Sequence, residues 1–196
     1  MSRQMTVAIA GLGSRGRDTY AKAAKMYPDK MKIVAIADID PEKVKLTAEE
    51  YDVPMSHCYE SAEDMLKEEK LADAMIIATQ DRQHVGQAIK ALKKGYHLLL
   101  EKPISPDLGE CRKISEVAKE CKREVVVCHV LRYTPIYQKV KEILDAGMIL
   151  SRLVDTFFSR ISPTMQLPPK HHSIAYVLPW AEGLHWQSRS SGCSNS

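Results

Sequence analysis

The sequence predicts an α/β fold built on a doubly wound parallel β-sheet, with helices on both faces of the sheet. Two observations carry this prediction. Short runs that are almost wholly apolar recur along the chain, as strands buried on both faces require. Segments with the helical spacing of apolar residues lie between these runs. Because strands that alternate with helices form parallel sheets, we assign residues 1–150 to one such domain.

The apolar runs predict five strands in chain order. These are Met5–Ala10, Met31–Ala37, Ala74–Ala78, His97–Leu100 and Val125–Val130. A weaker strand is predicted near His57–Tyr59, where the apolar run is shorter. In a sheet of this kind ligands bind beyond the carboxyl ends of the strands, so functional residues are expected there.

The predicted helices have their own start and stop signals. Asp40-Pro41-Glu42 supplies an N-cap, a proline at the first helical position and an early acid. Ser61-Ala62-Glu63-Asp64 resembles a capping box, and Gly95 ends the helix that follows the third main strand. Two further helices begin at Ser105-Pro106-Asp107 and at Thr134-Pro135.

Composition excludes several classes of protein. The 196 residues carry a formal net charge of +3 with 27% charged residues, which indicates a mixed, solvated surface and gives no reason to expect nucleic acid or a membrane as partner. No apolar run approaches the ~20 residues of a membrane span, and the amino terminus does not resemble a signal peptide. The five cysteines include no C-x-x-C pair. We therefore expect a cytoplasmic protein with reduced thiols, Cys111 and Cys121 lying on a buried helix stripe, and no metal site.

A glycine-rich turn follows the first predicted strand and precedes a helix. Its residues are Gly11, Leu12, Gly13, Ser14, Arg15 and Gly16, in the pattern G-x-G-x-x-G. The first glycine permits a tight turn, the second lets the backbone approach a pyrophosphate, and the third lets the helix pack close to the strand. The helix amino terminus then attracts phosphate. A glycine loop without a ligand is the alternative, but this position favours a Rossmann-type dinucleotide-binding domain with a nicotinamide cofactor.

The end of the second predicted strand bears on the choice of cofactor. Asp38 lies there, about 20 residues after the last glycine, where an acid accepts hydrogen bonds from the adenosine ribose. A carboxylate repels the 2′-phosphate of NADP, so Asp38 favours NAD. Arg15 and Arg17 could instead bind that phosphate, so the sequence allows NAD or NADP.

Glu101-Lys102-Pro103 places two charges at the end of the fourth main strand. A lysine at this edge can polarise a substrate hydroxyl or carbonyl group, and Glu101 could orient it or meet the nicotinamide ribose. The alternative is a solvated ion pair at the start of a loop.

These motifs together resemble the glucose–fructose oxidoreductase / inositol dehydrogenase family, Gfo/Idh/MocA, over about residues 4–156. The matching stretches are Gly11–Gly16, Ala37-Asp38, Ile77–His84, Glu101–Pro103 and Cys128–Tyr133. The resemblance implies an NAD(P)-dependent dehydrogenase that transfers a hydride between the cofactor and a polyol or sugar-like substrate.

The resemblance also implies roles for individual residues. Lys102 corresponds to the catalytic lysine that contacts both nicotinamide ribose and substrate, and Glu101 to its neighbour on the cofactor side. Arg132 corresponds to a residue that faces the substrate cleft. Thr79, Gln80 and His84 correspond to the loop along the cofactor, although residue type alone suggests that His84 is a helix cap or a surface histidine.

Residues 151–196 depart from the family pattern. Only Ser151–Phe157 resembles the first strand of the second, α+β domain that family members carry, and no regular period follows Phe158. We expect these residues to form a fragment of a substrate domain, or an out-of-frame and poorly ordered tail. The alternative functions are a catalytically inactive nucleotide-binding protein and a truncated product. A homo-oligomer is possible, and an unpaired strand at this point would lower solubility.

Overall fold

A computed structural model describes residues 3–146 of the chain. Within that part the strands form one parallel sheet of six strands in the order β3-β2-β1-β4-β5-β6. The strands are β1 (Met5–Ala10), β2 (Met31–Ala37), β3 (Cys58–Tyr59), β4 (Ala74–Ile77), β5 (His97–Leu100) and β6 (Val125–Val127). The predicted doubly wound parallel sheet is confirmed, with β1, β2 and β5 at their predicted bounds.

The helices alternate with the strands. A π-helical segment (Gly16–Ala21) leads into α1 (Lys22–Met26), and the later helices are α2 (Pro41–Tyr51), α3 (Ala62–Met65), α4 (His84–Lys93), α5 (Leu108–Glu120) and α6 (Pro135–Asp145). Asp40, Ser61 and Asp107 act as N-caps, because their side chains accept hydrogen bonds from backbone N–H groups of the first helical turn. Gly95 follows α4 with a left-handed φ of 87°, as its role as a stop requires.

Two apolar cores lie on opposite faces of the sheet. Val7 and Ile9 of β1 pack with α1 and α2 on one face, whereas Ala8 and Ala10 pack with α3, α4 and α5 on the other. All four side chains are at most 3% exposed, which explains why the run is apolar throughout instead of alternating. The chain adds β2 and β3 on one side of β1 and then β4, β5 and β6 on the other, so the strand order reverses between β1 and β4. The crevice beside this switch point is where such folds bind ligands.

Two predicted strands are too long. The run Ala74–Ala78 ends as a strand one residue earlier, at Ile77. The run Val125–Val130 ends as a strand at Val127, because the His129 N–H turns back to the carbonyl oxygen of Val127 at 2.8 Å. Val130–Tyr133 then forms a 3-10 turn.

The predicted burial of two cysteines is corrected. Cys111 and Cys121 lie on α5 and at its end as free thiols, but their side chains are only half-buried.

Asp73 ties the amino ends of the sheet together. Its Oδ2 accepts hydrogen bonds from the backbone N–H and the hydroxyl of Thr6 at 2.9 and 2.8 Å, and its Oδ1 pairs with Arg3 at 2.6 Å. These contacts fix β1 against the segment that leads into β4.

Two predictions concern the ends of the chain and the membrane. The expected fragment or tail at residues 151–196, including the start of an α+β domain, lies outside the described residues and stays a prediction. Between residues 3 and 146, no helix is long and apolar enough to cross a membrane.

Candidate cofactor and substrate site

The glycine turn joins the carboxyl end of β1 to the π-helical segment. Gly11 has a φ of +88°, and a Cβ on it would lie 2.5 Å from the carbonyl oxygen of Ala78. A Cβ on Gly16 would overlap the carbonyl oxygen of Gly11. Close packing within the protein therefore requires glycine at both positions.

Gly13 differs from these two glycines. A Cβ built on it would meet no atom within 4 Å, and Gly13, Ser14 and Arg15 are all exposed. Nothing in the protein's own packing demands glycine here. The residue type and the open space instead suit the close approach of a pyrophosphate to the backbone at a helix amino terminus.

Asp38 lies at the end of β2, beside the glycine turn. Its Oδ2 accepts a hydrogen bond from the Leu12 N–H at 2.5 Å, and its Oδ1 accepts one from the Asp40 N–H at 2.9 Å. The half-buried carboxylate therefore holds the turn against the second strand. Its orientation is fixed before any ligand binds.

The two arginines of the turn are directed towards carboxylates of the chain. The guanidinium of Arg17 lies 3.0 Å from Glu50 on α2, and the Nε of Arg15 lies 3.5 Å from Glu101 after β5. The Arg15 contact therefore runs towards the far side of the switch point, away from β2. Neither contact involves Asp38.

The loop after β4 is fixed by a buried amide. Thr79 donates its hydroxyl hydrogen to Oε1 of Gln87 at 2.6 Å, and the Gln87 amide donates to Glu63 at 3.1 Å. Gln87 is 1% exposed, whereas Gln80 at the tip of the loop is exposed. This arrangement holds the backbone of residue 79 in place and leaves the Gln80 side chain facing solvent.

His84 begins α4 and lies beneath this loop. Its side chain is fully buried, with Nδ1 2.8 Å from the carbonyl oxygen of Pro103 and Nε2 3.1 Å from that of Thr79. The surface position suggested by residue type is therefore wrong. Because each ring nitrogen contacts a backbone carbonyl oxygen, the buried imidazole connects the loop after β4 to the loop after β5.

Glu101 is a buried carboxylate at the end of β5, only 5% exposed. Its Oε2 accepts the Lys102 N–H at 2.9 Å, and its Oε1 accepts the hydroxyl of Tyr20 and faces Arg15. The peptide bond between Lys102 and Pro103 is cis, and the Lys102 side chain is exposed. The backbone of Lys102 is thus held in place, while its side-chain ammonium is exposed to solvent at the edge of the sheet.

Tyr20 and Cys128 complete the surroundings of Glu101, and sequence reasoning missed both. Burial raises the pKa of Tyr20 far above its ordinary value, and hydrogen bonds with Cys128 and Glu101 add to the effect. Burial also raises the pKa of the Cys128 thiol to about 11. Both groups are therefore protonated at neutral pH. A tyrosine four residues after the last glycine carries no sequence signal that places it on a carboxylate after β5.

Arg132 lies in the 3-10 turn after β6 and is exposed. Leu100 of β5 pairs with Val127 of β6, so Lys102 and Arg132 follow neighbouring strands at the same edge of the sheet. Burial lowers the pKa of His129, and the nearby charge of Arg132 lowers it further. No group of three or more potential metal ligands occurs within the described range 3–146.

A doubly wound parallel sheet with a glycine turn at its switch point defines the class of dinucleotide-binding domains. Residues 5–129 match the family model described as "Oxidoreductase family, NAD-binding Rossmann fold". The chain belongs to this Gfo/Idh/MocA oxidoreductase family, as its motifs predicted.

Relatives and solved structures agree with that assignment. An inositol 2-dehydrogenase of Rubrobacter xylanophilus is 27% identical over 149 residues, which are 76% of this chain and 42% of that protein. The solved structure of scyllo-inositol dehydrogenase from Lactobacillus casei with NAD(H) and scyllo-inositol matches with a TM-score of 0.66 at 24% identity, covering 74% of this chain and 42% of that one. WlbA dehydrogenase from Bordetella pertussis, in complex with NADH and UDP-GlcNAcA, matches with a TM-score of 0.67 at 24% identity, covering 75% and 42%. The chain thus spans about two fifths of the length of these proteins.

Proposed function

We propose that this chain binds NAD at the carboxyl edge of its sheet and serves in hydride transfer between the nicotinamide and a hydroxyl or carbonyl group of a polyol or sugar-like substrate. One observation carries the proposal, namely the contrast among the three glycines of the turn. Packing accounts for Gly11 and Gly16, whereas Gly13 faces open space that a pyrophosphate fits.

Two features favour NAD over NADP. Asp38 is held by two backbone N–H groups with its charge beside the glycine turn, where it would repel a 2′-phosphate. Its remaining lone pairs can still accept hydrogen bonds from ribose hydroxyls. Arg15 and Arg17 have carboxylate partners of their own, which reduces their capacity to neutralise an added phosphate.

The loop after β4 contacts the cofactor, and His84 supports that loop. Thr79 and Gln80 line the cofactor, with the Thr79 backbone fixed and the Gln80 side chain exposed. His84 holds this loop without touching the cofactor, because its side chain is fully buried.

Lys102 is the proposed catalytic residue. The nicotinamide ring, when bound, supplies the hydride donor or acceptor. The Lys102 ammonium can donate a hydrogen bond to a substrate oxygen and hold or release a proton at Nζ as that oxygen gains or loses one. Arg132, at the neighbouring strand end, supplies a second donor for a substrate rich in hydroxyl groups.

The names of the similar proteins support the substrate class. One relative is an inositol 2-dehydrogenase, and the solved structures contain scyllo-inositol in one case and UDP-GlcNAcA in another. These ligands share a ring that carries several hydroxyl groups, which fits hydrogen-bond donors at the edge of the sheet.

The test combines binding and turnover. NADH binding is followed by nicotinamide fluorescence, and reduction of NAD is assayed with myo-inositol, scyllo-inositol and UDP-GlcNAcA. The wild-type chain should bind NADH and turn over at least one of them. Lys102→Ala should lower turnover by about 100-fold or more while it still binds NADH. Lys113→Ala, on the exposed face of α5, should leave both turnover and NADH binding unchanged.

Each failure of this test has its own meaning. NADH binding without turnover of any polyol or sugar would overturn the proposed reaction and favour an inactive nucleotide-binding protein. Failure of the folded wild-type chain to bind either nicotinamide cofactor would overturn the whole proposal.

A further inference from the structure

The first helical turn after the glycine motif is wider than an α-helix. Residues Gly16–Ala21 form a π-helical segment, and the Tyr20 N–H reaches back five residues to the carbonyl oxygen of Arg15 at 2.9 Å. Single π-helical turns of this kind are frequent at functional sites, because they change the direction in which the following side chains point.

The tyrosine of this turn contacts the Glu-Lys-Pro loop. The Tyr20 hydroxyl donates a hydrogen bond to Oε1 of Glu101, the same oxygen that lies 3.5 Å from Nε of Arg15. The other oxygen accepts the Lys102 N–H at 2.9 Å. One carboxylate therefore receives a neutral donor and a cation from the segment that follows β1, and a backbone N–H from its own loop.

The burial of this carboxylate makes the hydroxyl important. Glu101 is 5% exposed, and a charge with so little contact with water requires donors close to it. Arg15 is 45% exposed, and its Nε lies 3.5 Å from Oε1 of Glu101, at the outer limit for a hydrogen bond. The Tyr20 hydroxyl is therefore the nearer side-chain donor to Oε1. The raised pKa of Tyr20 keeps this phenol protonated, so it remains a donor throughout the neutral range.

We propose that Tyr20 is a positioning residue which, through Glu101, fixes the Lys102 backbone relative to the glycine turn and so shapes the nicotinamide end of the site. This inference rests on the proposed function and adds a residue to it. Since Asp38 and Glu101 follow strands on opposite sides of β1, the adenosine end should be insensitive to the Tyr20 hydroxyl.

The experiment compares two probes that fill different lengths of the site. NADH reaches the nicotinamide end, whereas ADP covers only the adenosine and the phosphates. Tyr20→Phe should weaken NADH binding by about tenfold, the effect of one hydrogen bond to a charged acceptor, and change ADP binding by less than about twofold. Tyr51→Phe, a half-buried tyrosine on α2, should change neither affinity.

A double-mutant cycle shows whether the hydroxyl acts through the carboxylate. Glu101→Gln should show the same loss of NADH binding with ADP binding retained, and Tyr20→Phe added to it should cause no further loss. Should Tyr20→Phe fail to fold cooperatively in thermal unfolding, Glu101→Gln alone carries the comparison of NADH with ADP.

The outcomes separate this inference from the function on which it rests. Wild-type protein that binds neither NADH nor NADPH would overturn both. Wild-type binding with Tyr20→Phe equal to wild type would overturn the inference alone. An equal loss for NADH and ADP would also overturn it, because that pattern reports a general structural defect.

Discussion

Alanine at each glycine of the turn separates the needs of the fold from the needs of the cofactor. In Gly11→Ala the new Cβ would lie 2.5 Å from a carbonyl oxygen at a φ of +88°, and in Gly16→Ala it would overlap the oxygen of Gly11. In Gly13→Ala it would meet no protein atom within 4 Å. We therefore expect the first two variants to lose stability and the third to lose cofactor binding.

The magnitudes follow from these contacts. Left-handed backbone costs an alanine about 1–2 kcal/mol, and overpacking adds about 1–3 kcal/mol, so Gly11→Ala should lower the free energy of unfolding by about 3 kcal/mol. Gly16→Ala meets backbone and should cost at least as much. Gly13→Ala should change stability by no more than about 0.5 kcal/mol. A methyl group against the pyrophosphate should still weaken NADH binding by about tenfold, equivalent to about 1.4 kcal/mol.

Two assays read the two effects independently. Urea denaturation gives the free energy of unfolding, and NADH fluorescence gives the dissociation constant. Gly86→Ala is the matched control, because Gly86 lies exposed within α4 and a Cβ there meets nothing within 4 Å. It should stabilise the protein by about 0.5–1 kcal/mol and leave NADH affinity unchanged. A Gly13→Ala variant that binds NADH like wild type would refute the assignment of this glycine to the phosphates.

Three further predictions concern specificity, pH and the buried histidine. Asp38→Ser should raise the affinity for NADPH relative to NADH by about tenfold in fluorescence titrations, since it removes the charge that opposes a 2′-phosphate; an unchanged ratio would contradict this role. Burial alone would raise the pKa of Asp73. Hydrogen bonds from Thr6 and the charge of Arg3 lower the pKa by more than burial raises it, so the net shift is downward. Its stabilisation is present above an unfolded pKa of about 3.9 and is lost as pH falls through the lower folded value, and Asp73→Asn should flatten the pH dependence of urea unfolding in that acidic window. His84→Ala should lower the free energy of unfolding by about 2–4 kcal/mol and weaken NADH binding, because it leaves a cavity and removes the buried ring that contacts the carbonyl oxygens of Pro103 and Thr79; urea unfolding indistinguishable from wild type would count against this.

The fold could be predicted because buried parallel strands have a strong signature. β1, β2 and β5 are almost wholly apolar, and each apolar run ends where its strand ends. The end of β6 could not be found in this way. Val130 is as apolar as the strand residues, and only the backbone hydrogen bond from His129 to Val127 ends the strand earlier.

The site was predictable where a motif specifies backbone geometry. The glycine turn and Asp38 lie where their spacing placed them, at the ends of adjacent strands. The place of His84 depends on loops that are distant in sequence, so its burial could not be inferred from residue type. Tyr20 was missed because a hydrogen bond to the fifth preceding residue has no sequence signature, and an α-helical register would direct the side chain elsewhere.

The most direct test of the account locates the cofactor on the protein. Heteronuclear amide NMR spectra recorded during titration with NADH would report which backbone groups sense the ligand. We expect the shifts to concentrate in residues 11–16, Asp38, residues 79–80 and residues 101–102, and to saturate with a single dissociation constant. Saturable shifts confined to other surfaces, such as α6, or no shifts at all, would contradict dinucleotide binding at the carboxyl edge of the sheet.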